Sequence, residues 1–224
     1  MATTASPPAG DDLADRLARC YTGVNYDVLR SRGIVACVLP SSIVPLDRAM
    51  VAAGPVFPVR GRPDASVSPH ETLLRWTELL SRAPRGHVVM TQGNDVERAL
   101  MGELSAETLQ FRGVRGYIVD GGCRDTAFIR KLGFPVFCDK ATPRDIVGAW
   151  VPVAYGEPIS YGQVVVRPGD HVLADCDGIV VIPGAIAVDV IDAAEAAMKT
   201  EDKVRAAILA GVDPQQAYLD HGKF

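Results

Sequence analysis

An alternation of short apolar runs with helix-like segments, in the middle of the chain, constrains the fold more than any other feature of the sequence. The predicted order is strand, helix, strand, helix, strand, over the ranges 87–91, 102–112, 116–119, 126–132 and 135–138. Gly113 and Gly133 follow the two helix-like segments, at positions where helices commonly end. This order favours an α/β core in which some neighbouring strands run parallel.

The segments before this core predict a long helix, a short strand, a proline-punctuated extended stretch and a second helix. They cover 11–32, 34–39, 40–63 and 68–82. The second helix has the clearest start, because Ser68 can cap it, Pro69 suits its first position and Glu71 can complete a capping box.

The segments after the core predict short antiparallel strands, a long helix and a polar tail. The strands cover 159–166, 171–174 and 179–182, and the helix covers 185–210. We find no internal repeat and no long linker. Residues 11–224 are therefore predicted to form a single domain, and residues 1–10 a disordered tail.

Charge and hydrophobicity argue against two classes of partner. The 23 Lys and Arg against 27 Asp and Glu give a formal net charge of -4, which does not favour a nucleic-acid-binding surface. The longest apolar runs are far shorter than the roughly 20 residues that a membrane-spanning helix needs. The N-terminus also lacks the apolar core of a signal peptide.

The cysteines indicate a reducing compartment. There are five, an odd number, and no C-x-x-C pair occurs, so neither a disulfide framework nor a structural zinc site is expected and a cytoplasmic location fits best. Cys123 could act as a nucleophile only if a spatial neighbour activates it, because no histidine lies close in sequence. We favour a half-buried structural role for it.

The stretch V-D-G-G-C-R-D, residues 119–125, lies where a predicted strand turns into a predicted helix. Ligands commonly bind at this edge of open α/β sheets. Arg124 offers a planar fork for a carboxylate, and Asp125 offers oxygen ligation to a hard cation such as Mg²⁺. Two structural interpretations remain open: Asp125 could cap the following helix, and Arg124 could pair with Asp120 at the surface.

A second candidate feature is the helix start at Gly102. Free backbone N–H groups at a helix start form an anion site, and Leu104 and Ser105 could supply them. Glu103 adds a carboxylate at the same place. Taken alone, a glycine within a longer helix with an exposed Glu103 is the simpler interpretation.

Together these features closely resemble the signature of the RraA-like family. The matching segments are G-E-L-S-A-E-T-L-Q-F-R-G-V-R-G-Y-I-V-D-G-G-C-R-D-T, then L-G-F-P-V-F at 132–137 and D-C-D-G-I-V-V-I-P at 175–183. The resemblance runs from about residue 22 to 211. The family includes class II 4-hydroxy-4-methyl-2-oxoglutarate / 4-carboxy-4-hydroxy-2-oxoadipate aldolases and proteins named regulator of ribonuclease activity A. It implies an α/β sandwich with central mixed β-sheets, similar to a swivelling phosphohistidine-type domain, with helices outside.

The resemblance also implies roles for individual residues. Asp125 matches the ligand of Mg²⁺, Mn²⁺ or Co²⁺, and Arg124 matches the residue that binds the pyruvyl carboxylate and steadies the enolate. Glu103 matches an acidic position that holds metal-bound water. The substrate carboxylate would be received at the helix start, Gly102, Leu104 and Ser105, although Ser105 replaces the family's usual leucine. Glu201, with Asp202 as the fallback, matches a glutamate given by the C-terminal helix of a neighbouring subunit.

The implied function is metal-dependent retro-aldol cleavage of a 4-hydroxy-2-oxo acid to pyruvate, with oxaloacetate decarboxylation through the same enolate. The implied assembly is a homotrimer or homohexamer in which the C-terminal helix packs on a neighbour. One alternative is a non-catalytic regulator that binds a ribonuclease or an RNA helicase, and another is a different metal-assisted step on a sugar-acid or hydroxy-acid.

Two other groups of residues have simpler interpretations. His70 is predicted to lie at a helix start or on the surface rather than in a site. The aspartates Asp170, Asp175 and Asp177 could suggest calcium, but their turn context makes hairpin residues the favoured interpretation.

Overall fold

A computed structural model describes residues 13–223. The described residues form seven α-helices: α1 Leu13–Ala18, α2 Thr22–Ser31, α3 Pro69–Arg82, α4 Glu103–Phe111, α5 Thr126–Leu132, α6 Ala187–Leu209 and α7 Pro214–His221. A short 3₁₀ turn, Gly184–Ile186, leads into α6. The strands are β1 Val44–Pro45, β2 Ala52–Pro63, β3 Val88–Gln92, β4 Gly116–Val119, β5 Gly122–Cys123, β6 Val136–Cys138, β7 Lys140–Ala141, β8 Trp150–Tyr155, β9 Ile159–Tyr161, β10 Val164–Val166, β11 His171–Ala174 and β12 Ile179–Ile182. The predicted tail over 1–10 lies outside the described residues.

The main sheet is mixed and has eight strands in the order β1-β6-β4-β3-β2-β11-β12, with β8 also pairing β2. The inner strands β2, β3, β4 and β6 run parallel, as the strand–helix alternation predicts. The long strand β2 pairs β11 along its first half and β8 along its second half, both antiparallel. The sheet curls, and the prediction of a single-domain α/β fold with mixed sheets is confirmed.

Side chains on the inner strands alternate between two apolar cores. On β4, Tyr117 and Val119 pack toward α3, α4 and α5, whereas Ile118 packs toward the small β9–β10 hairpin. The same alternation places Val89 in the first core and Met90 in the second. Burial on both faces is typical of parallel strands, which explains why these runs are continuously apolar. A third core joins α1, α2 and α6 to β11 and β12.

Three predicted elements differ from the structure. The helix predicted over 11–32 is two helices, because Tyr21 is extended and the Thr22 backbone N–H is held by Asp175 at 2.8 Å. The range 34–39 is not a strand: it touches β12 through one isolated bridge, between Val38 and Val180. The range 159–166 is a hairpin, since Gly162 adopts φ +59 and turns the chain.

Besides the two-residue strands β5 and β7, two longer elements were not predicted. Strand β8 carries Pro152, which weakened the strand signal, and it lies antiparallel to β2 beside a register shift at Arg60/Gly61. Helix α7 forms in the predicted polar tail, where Asp213 caps it and Pro214 takes its first turn. None of the described helices combines the length and the hydrophobicity that a membrane-spanning segment needs.

Candidate active site

Two loops meet at the carboxyl edge of the parallel strands. Strands β3 and β4 are paired in parallel up to Thr91 opposite Val119, so both chains leave the sheet at the same edge. The loop after β3 leads to Gly102 at the start of α4, and the loop after β4 leads through β5 to Arg124 and Asp125. The topology therefore brings together two motifs that are separated by about twenty residues in sequence.

Backbone hydrogen bonds join the two loops. The Leu100 N–H donates to the Gly122 carbonyl at 2.8 Å, and the Gly122 N–H donates to the Arg98 carbonyl at 3.0 Å. The Arg124 N–H donates to the Met101 carbonyl at 2.9 Å. These bonds fix the start of α4 relative to Arg124 and Asp125 before any side chain is considered.

Two glycines permit this close approach. A Cβ at Gly102 would lie 2.9 Å from Asp125 Oδ2 and 3.2 Å from Arg124 Nε. A Cβ at Gly122 would lie 2.8 Å from the Arg98 carbonyl oxygen. A larger residue at Gly102 would thus displace the two charged groups of the site.

Asp125 adopts a backbone conformation that non-glycine residues rarely take. Its φ is 56° and its ψ is 31°, and it precedes α5 without capping that helix through its side chain. Asp125 therefore stands at the N-cap position of α5, and its backbone carbonyl accepts the Phe128 N–H at 3.0 Å, but its side chain makes no capping bond. Its Oδ2 instead accepts the Glu103 backbone N–H at 3.2 Å, which turns the carboxylate toward the start of α4. Left-handed residues cluster at ligand sites, where the surrounding structure enforces them.

Arg124 is held between two carboxylates. Its Nη1 lies 3.3 Å from Asp145 Oδ2, and its Nε lies 3.6 Å from Asp125 Oδ2. The alternative pairing with Asp120 is wrong, because the Asp120 carboxylate accepts the Gly93 backbone N–H instead. About 41% of the Arg124 side chain remains exposed, so the guanidinium is oriented yet open to a ligand.

One cavity of about 500 Å³ contains most of the predicted site. The predicted residues that line it are Gly102, Glu103, Leu104, Ser105, Arg124 and Asp125. Its other lining residues come from one face of α3, from the segment 145–147, from the loop before α4 (Ala99 and Met101) and from Thr108 of α4. None of the described histidines lines it. The cavity is of a size that small-molecule sites commonly have.

The first turn of α4 presents backbone donors to this cavity. Regular i→i−4 bonding starts at Ala106, whose N–H donates to the Gly102 carbonyl at 3.0 Å. The Glu103 N–H is taken by Asp125, which leaves Leu104 and Ser105 with N–H groups that have no acceptor within the helix. Together with the helix dipole, these groups favour an anion at this point.

Glu201 lies elsewhere in the chain, on α6. It borders a separate cavity of about 310 Å³ with Val204, Arg205, Ile208 and Leu209. Its carboxylate accepts a hydrogen bond from the Tyr21 hydroxyl and lies 2.9 Å from Lys223 Nζ. Burial acts to raise the pKa of Glu201, but these two partners outweigh it and lower that pKa. Within one chain, Glu201 and the loop cavity are therefore separate.

Two residues of the site were not predicted from the sequence. Trp76 on α3 donates from its indole Nε1 to Ser105 Oγ at 2.9 Å and lines the cavity. Asp145 orients Arg124. The sequence carries no signal for Asp145. For Trp76 the sequence did carry a signal: a serine stands at position 105 where the family usually has leucine, and its hydroxyl needs a polar partner.

The thiol of Cys123, behind the site, is unsuited to nucleophilic chemistry. A hydrogen bond with Cys138 and burial together raise the pKa of the Cys123 thiol, so it stays protonated at neutral pH. Burial also raises the pKa of Asp120. Cys123 is fully buried and not half-buried as predicted, and this burial agrees with the favoured structural role.

The donor set at Asp125 fits a magnesium-type ion. Mg²⁺ takes one or two protein carboxylates and keeps several waters, and Asp125 offers one carboxylate that opens to a cavity. Among residues 13–223, a group of three potential ligands occurs instead at Asp175, Cys176 and Asp177. There, Asp175 accepts bonds from Thr22 and from the Asp177 N–H, as expected for turn residues. We therefore regard Asp125 as the better metal ligand.

Comparison with known proteins identifies one family. The family model described as RraA-like, Aldolase/RraA, matches residues 12–181. A Halalkalibacterium halodurans protein named "Putative 4-hydroxy-4-methyl-2-oxoglutarate aldolase" is 29% identical over 185 residues, covering 81% of this chain and 83% of that protein. Protein DlpA of Legionella pneumophila is 26% identical over 211 residues, or 94% of this chain. That match covers 34% of DlpA, so the chain spans about a third of its length.

A solved structure agrees with the fold. Streptomyces coelicolor RraAS2, described as "an unusual member of the RNase ES inhibitor RraA protein family", superimposes with a TM-score of 0.75 at 27% identity. The superposition covers 90% of this chain and 99% of that chain.

Proposed function

Because the chain belongs to the RraA-like family, we propose that it is a divalent-metal-dependent lyase that cleaves a 4-hydroxy-2-oxo acid to pyruvate. One observation carries the proposal: Arg124, Asp125 and the open N–H groups of α4 line the same cavity. Cleavage of a 2-oxo acid requires three groups: a guanidinium that stabilises negative charge, a carboxylate that binds a metal ion, and a helix start that binds an anion. The name of the Halalkalibacterium relative supports the same reaction class.

The metal would be held by Asp125. Mg²⁺, Mn²⁺ or Co²⁺ bound there would supply Lewis-acid chemistry at the keto group. Glu103 lies on the first turn of α4, and its backbone N–H donates to Asp125 Oδ2. We propose that its carboxylate holds water in the same cavity.

The chain's own groups bind and orient the substrate. The N–H groups of Leu104 and Ser105 receive the substrate carboxylate at the positive end of α4. Arg124, fixed by Asp145, directs its guanidinium at the oxygen on which negative charge develops. Because this charge is larger in the transition state than in the substrate, Arg124 accelerates the bond-breaking step.

Cleavage breaks the bond between C3 and C4 of the substrate. The electron pair moves toward C2 and gives the enolate of pyruvate, while C4 and its oxygen become a carbonyl. The C4 hydroxyl proton passes to a base, for which we propose water held by Glu103 together with Glu201 of a neighbouring subunit. The enolate then takes a proton at C3. Oxaloacetate releases CO₂ and leaves the same enolate of pyruvate. This reaction needs no base for a hydroxyl proton.

The role of Glu201 requires an oligomer. Since Glu201 and the loop cavity are separate within one chain, it can reach a site only across an interface. We propose a homotrimer, or a homohexamer of two trimers, with α6 packed on the neighbour. Light scattering on the purified protein tests this, and a monomer with full aldol activity would contradict it.

The direct test measures pyruvate release from 4-hydroxy-4-methyl-2-oxoglutarate and from oxaloacetate, with Mg²⁺ and with EDTA. We expect release from both substrates with Mg²⁺ and none with EDTA. Release from oxaloacetate alone would support the enolate site and argue against the aldol substrate. No release from either, by a folded oligomer, would contradict the lyase.

A regulator of a ribonuclease or of an RNA helicase is the second candidate. It rests on the similarity to RraAS2, which is described within the RNase ES inhibitor family. The cavity lined by Arg124 and Asp125 favours the lyase, because a protein that only binds a partner has no need of it.

A further inference from the structure

We propose that the hydroxyl of Ser105 is a further substrate-binding group, which donates a hydrogen bond to the carboxylate of the 2-oxo acid at the start of α4. This role rests on the proposed lyase function and adds a side chain to the carboxylate site of the same cavity. It follows from the hydrogen bond between Ser105 and Trp76, which decides how the hydroxyl can bond to a ligand.

The oxygen of the Ser105 hydroxyl is already used as an acceptor. Trp76 Nε1 donates to Ser105 Oγ at 2.9 Å, across the contact between α3 and α4. An indole N–H can only donate, so the serine oxygen accepts and its own hydrogen remains to be donated. Among residues 13–223, this hydrogen has no acceptor. Both groups of the pair belong to one chain, whichever residues a neighbouring subunit adds to the cavity.

A second hydroxyl on the same helix shows the contrast. Thr108 also lines the cavity, but its Oγ1 donates to the Leu104 carbonyl at 2.7 Å, so its hydrogen is used within α4. Ser105 has no equivalent helix carbonyl. The residue four positions before it, Met101, precedes α4, and its carbonyl accepts the Arg124 N–H at 2.9 Å. The Ser105 hydroxyl therefore keeps its hydrogen for a ligand in the cavity.

The Ser105 hydroxyl lies at the same end of α4 as the open N–H groups. It stands in the first turn, and the Cα–Cβ bonds of a helix tilt toward the N-terminus. A carboxylate has two oxygens with about four lone-pair sites, so it can accept the N–H groups of Leu104 and Ser105 and the hydroxyl as well. A hydrogen bond from a hydroxyl to a carboxylate is charge-assisted and therefore stronger than a bond between neutral groups.

This bond should strengthen binding without changing the chemical step. The charge on the carboxylate is the same in the substrate and in the transition state, since the new negative charge develops at the keto oxygen. An interaction of equal strength in both states lowers KM and leaves kcat unchanged. The role of Ser105 thus differs from that of Arg124, which faces the developing charge.

The affinity for pyruvate tests this contact without cleavage. Pyruvate carries the same carboxylate and no group beyond C3, and its Kd in the presence of Mg²⁺ is measured by calorimetry. We expect Ser105→Ala to raise this Kd about tenfold, because it removes a hydrogen bond to a charged group. The same variant should raise KM for 4-hydroxy-4-methyl-2-oxoglutarate by a similar factor and leave kcat unchanged.

Two further variants serve as matched controls. Ser105→Thr keeps the hydroxyl and should keep the wild-type affinity for pyruvate. Thr108→Val removes a hydroxyl that lines the same cavity but already donates within the helix, so the affinity should stay unchanged.

Trp76→Phe separates a binding group from a structural contact. It removes the indole donor but keeps the Ser105 hydroxyl, so the Kd of pyruvate should rise less than in Ser105→Ala. If Ser105 served only to join α3 to α4, the two variants would lose the same contact and would raise the Kd equally.

Three results would overturn the role of Ser105 while leaving the lyase intact. They are an unchanged pyruvate affinity in Ser105→Ala, an equal loss of affinity in Trp76→Phe or Thr108→Val, and a raised KM for the aldol with unchanged pyruvate affinity. The last result would place the hydroxyl against the distal part of the substrate. If the wild-type protein neither binds pyruvate nor exchanges its methyl protons in D₂O, the proposed function itself is overturned, and this role with it.

Discussion

Asp125 and Asp175 both stand just after a short strand, yet the fold uses their carboxylates differently. The oxygens of Asp175 accept three bonds, from the Thr22 N–H at 2.8 Å, the Thr22 hydroxyl at 2.8 Å and the Asp177 N–H at 2.9 Å. Asp125 accepts one backbone N–H and keeps about 40% of its side chain open beside a cavity. Asp175 is 9% exposed as a residue.

This difference separates a structural aspartate from a candidate catalytic one. Asp175 joins α2 to the end of β11 and its hydrogen-bonding capacity is used within the protein. Asp125 keeps free lone pairs at a strained backbone position, a combination that stabilises a bound ligand rather than the fold. Substitutions should therefore affect stability at one site and activity at the other.

The largest expected effect is on activity at Asp125. Asp125→Asn should lower kcat for pyruvate release about a thousandfold, because a neutral amide binds Mg²⁺ weakly and Lewis-acid assistance is worth several kcal/mol. Steady-state kinetics over a range of Mg²⁺ measures this. The thermal midpoint should stay within a few degrees of wild type. A variant that keeps its activity at every Mg²⁺ concentration would show that Asp125 is not the ligand.

Arg124 should give the next largest effect. Arg124→Lys keeps the positive charge but loses the planar guanidinium group that Asp145 orients. We therefore expect kcat/KM to fall about a hundredfold. Arg144→Lys is the matched control, since Arg144 pairs with Glu97 at 2.9 Å outside the cavity. Equal activity losses in the two variants would contradict a specific role for Arg124.

Asp175 should show the opposite pattern. Asp175→Ala leaves the buried Thr22 N–H and hydroxyl without their acceptor, which should lower the free energy of unfolding by about 3 kcal/mol. Urea unfolding measures the loss, and activity per folded molecule should be unchanged. If activity falls while stability does not, the distinction between the two aspartates fails.

Asp95, in the loop after β3, should make the free energy of unfolding fall in acid. Burial acts to raise its pKa, but the N–H groups of Glu97 and Arg98 and the Arg98 guanidinium outweigh it and lower that pKa. The stabilisation is therefore complete above the unfolded-state pKa of about 4 and is lost as the pH falls through the lower folded-state value. Urea unfolding between pH 6 and 3 should show a free energy of unfolding that falls with the pH, and Asp95→Asn should reduce that fall. An identical acid dependence in the variant would rule Asp95 out.

The smallest effect should come from the contact between α3 and α4. Trp76→Phe removes the bond to Ser105 Oγ and should cost about 1 kcal/mol of stability. The change should raise KM more than it lowers kcat, because Trp76 borders the cavity and not the charged groups. Ser105→Ala serves as the partner variant, and a double-mutant cycle should give a coupling near this value.

Local sequence determined the elements whose signals lie within a few residues. The start of α3 is one: Ser68 Oγ accepts the Glu71 N–H at 3.1 Å, as predicted, although the Glu71 carboxylate pairs with Arg75 and does not complete the box. The apolar runs of β3, β4 and β6 formed parallel strands because both of their faces are buried. The motif around 119–125 likewise identified the family, and the structure brings its predicted residues into one cavity with the start of α4.

Tertiary structure alone decided the features that depend on distant partners. The break before Thr22 exists because Asp175, far along the chain, takes the Thr22 N–H. Whether the Asp125 side chain caps α5 or faces α4 is settled by hydrogen bonds between two loops, and no residue near Asp125 in sequence encodes them. Propensity acts over one or two turns of chain, whereas these contacts join segments that only the folded sheet brings together. The sequence therefore determined which residues could do chemistry, and the fold decided which of them have hydrogen-bonding capacity left for a ligand.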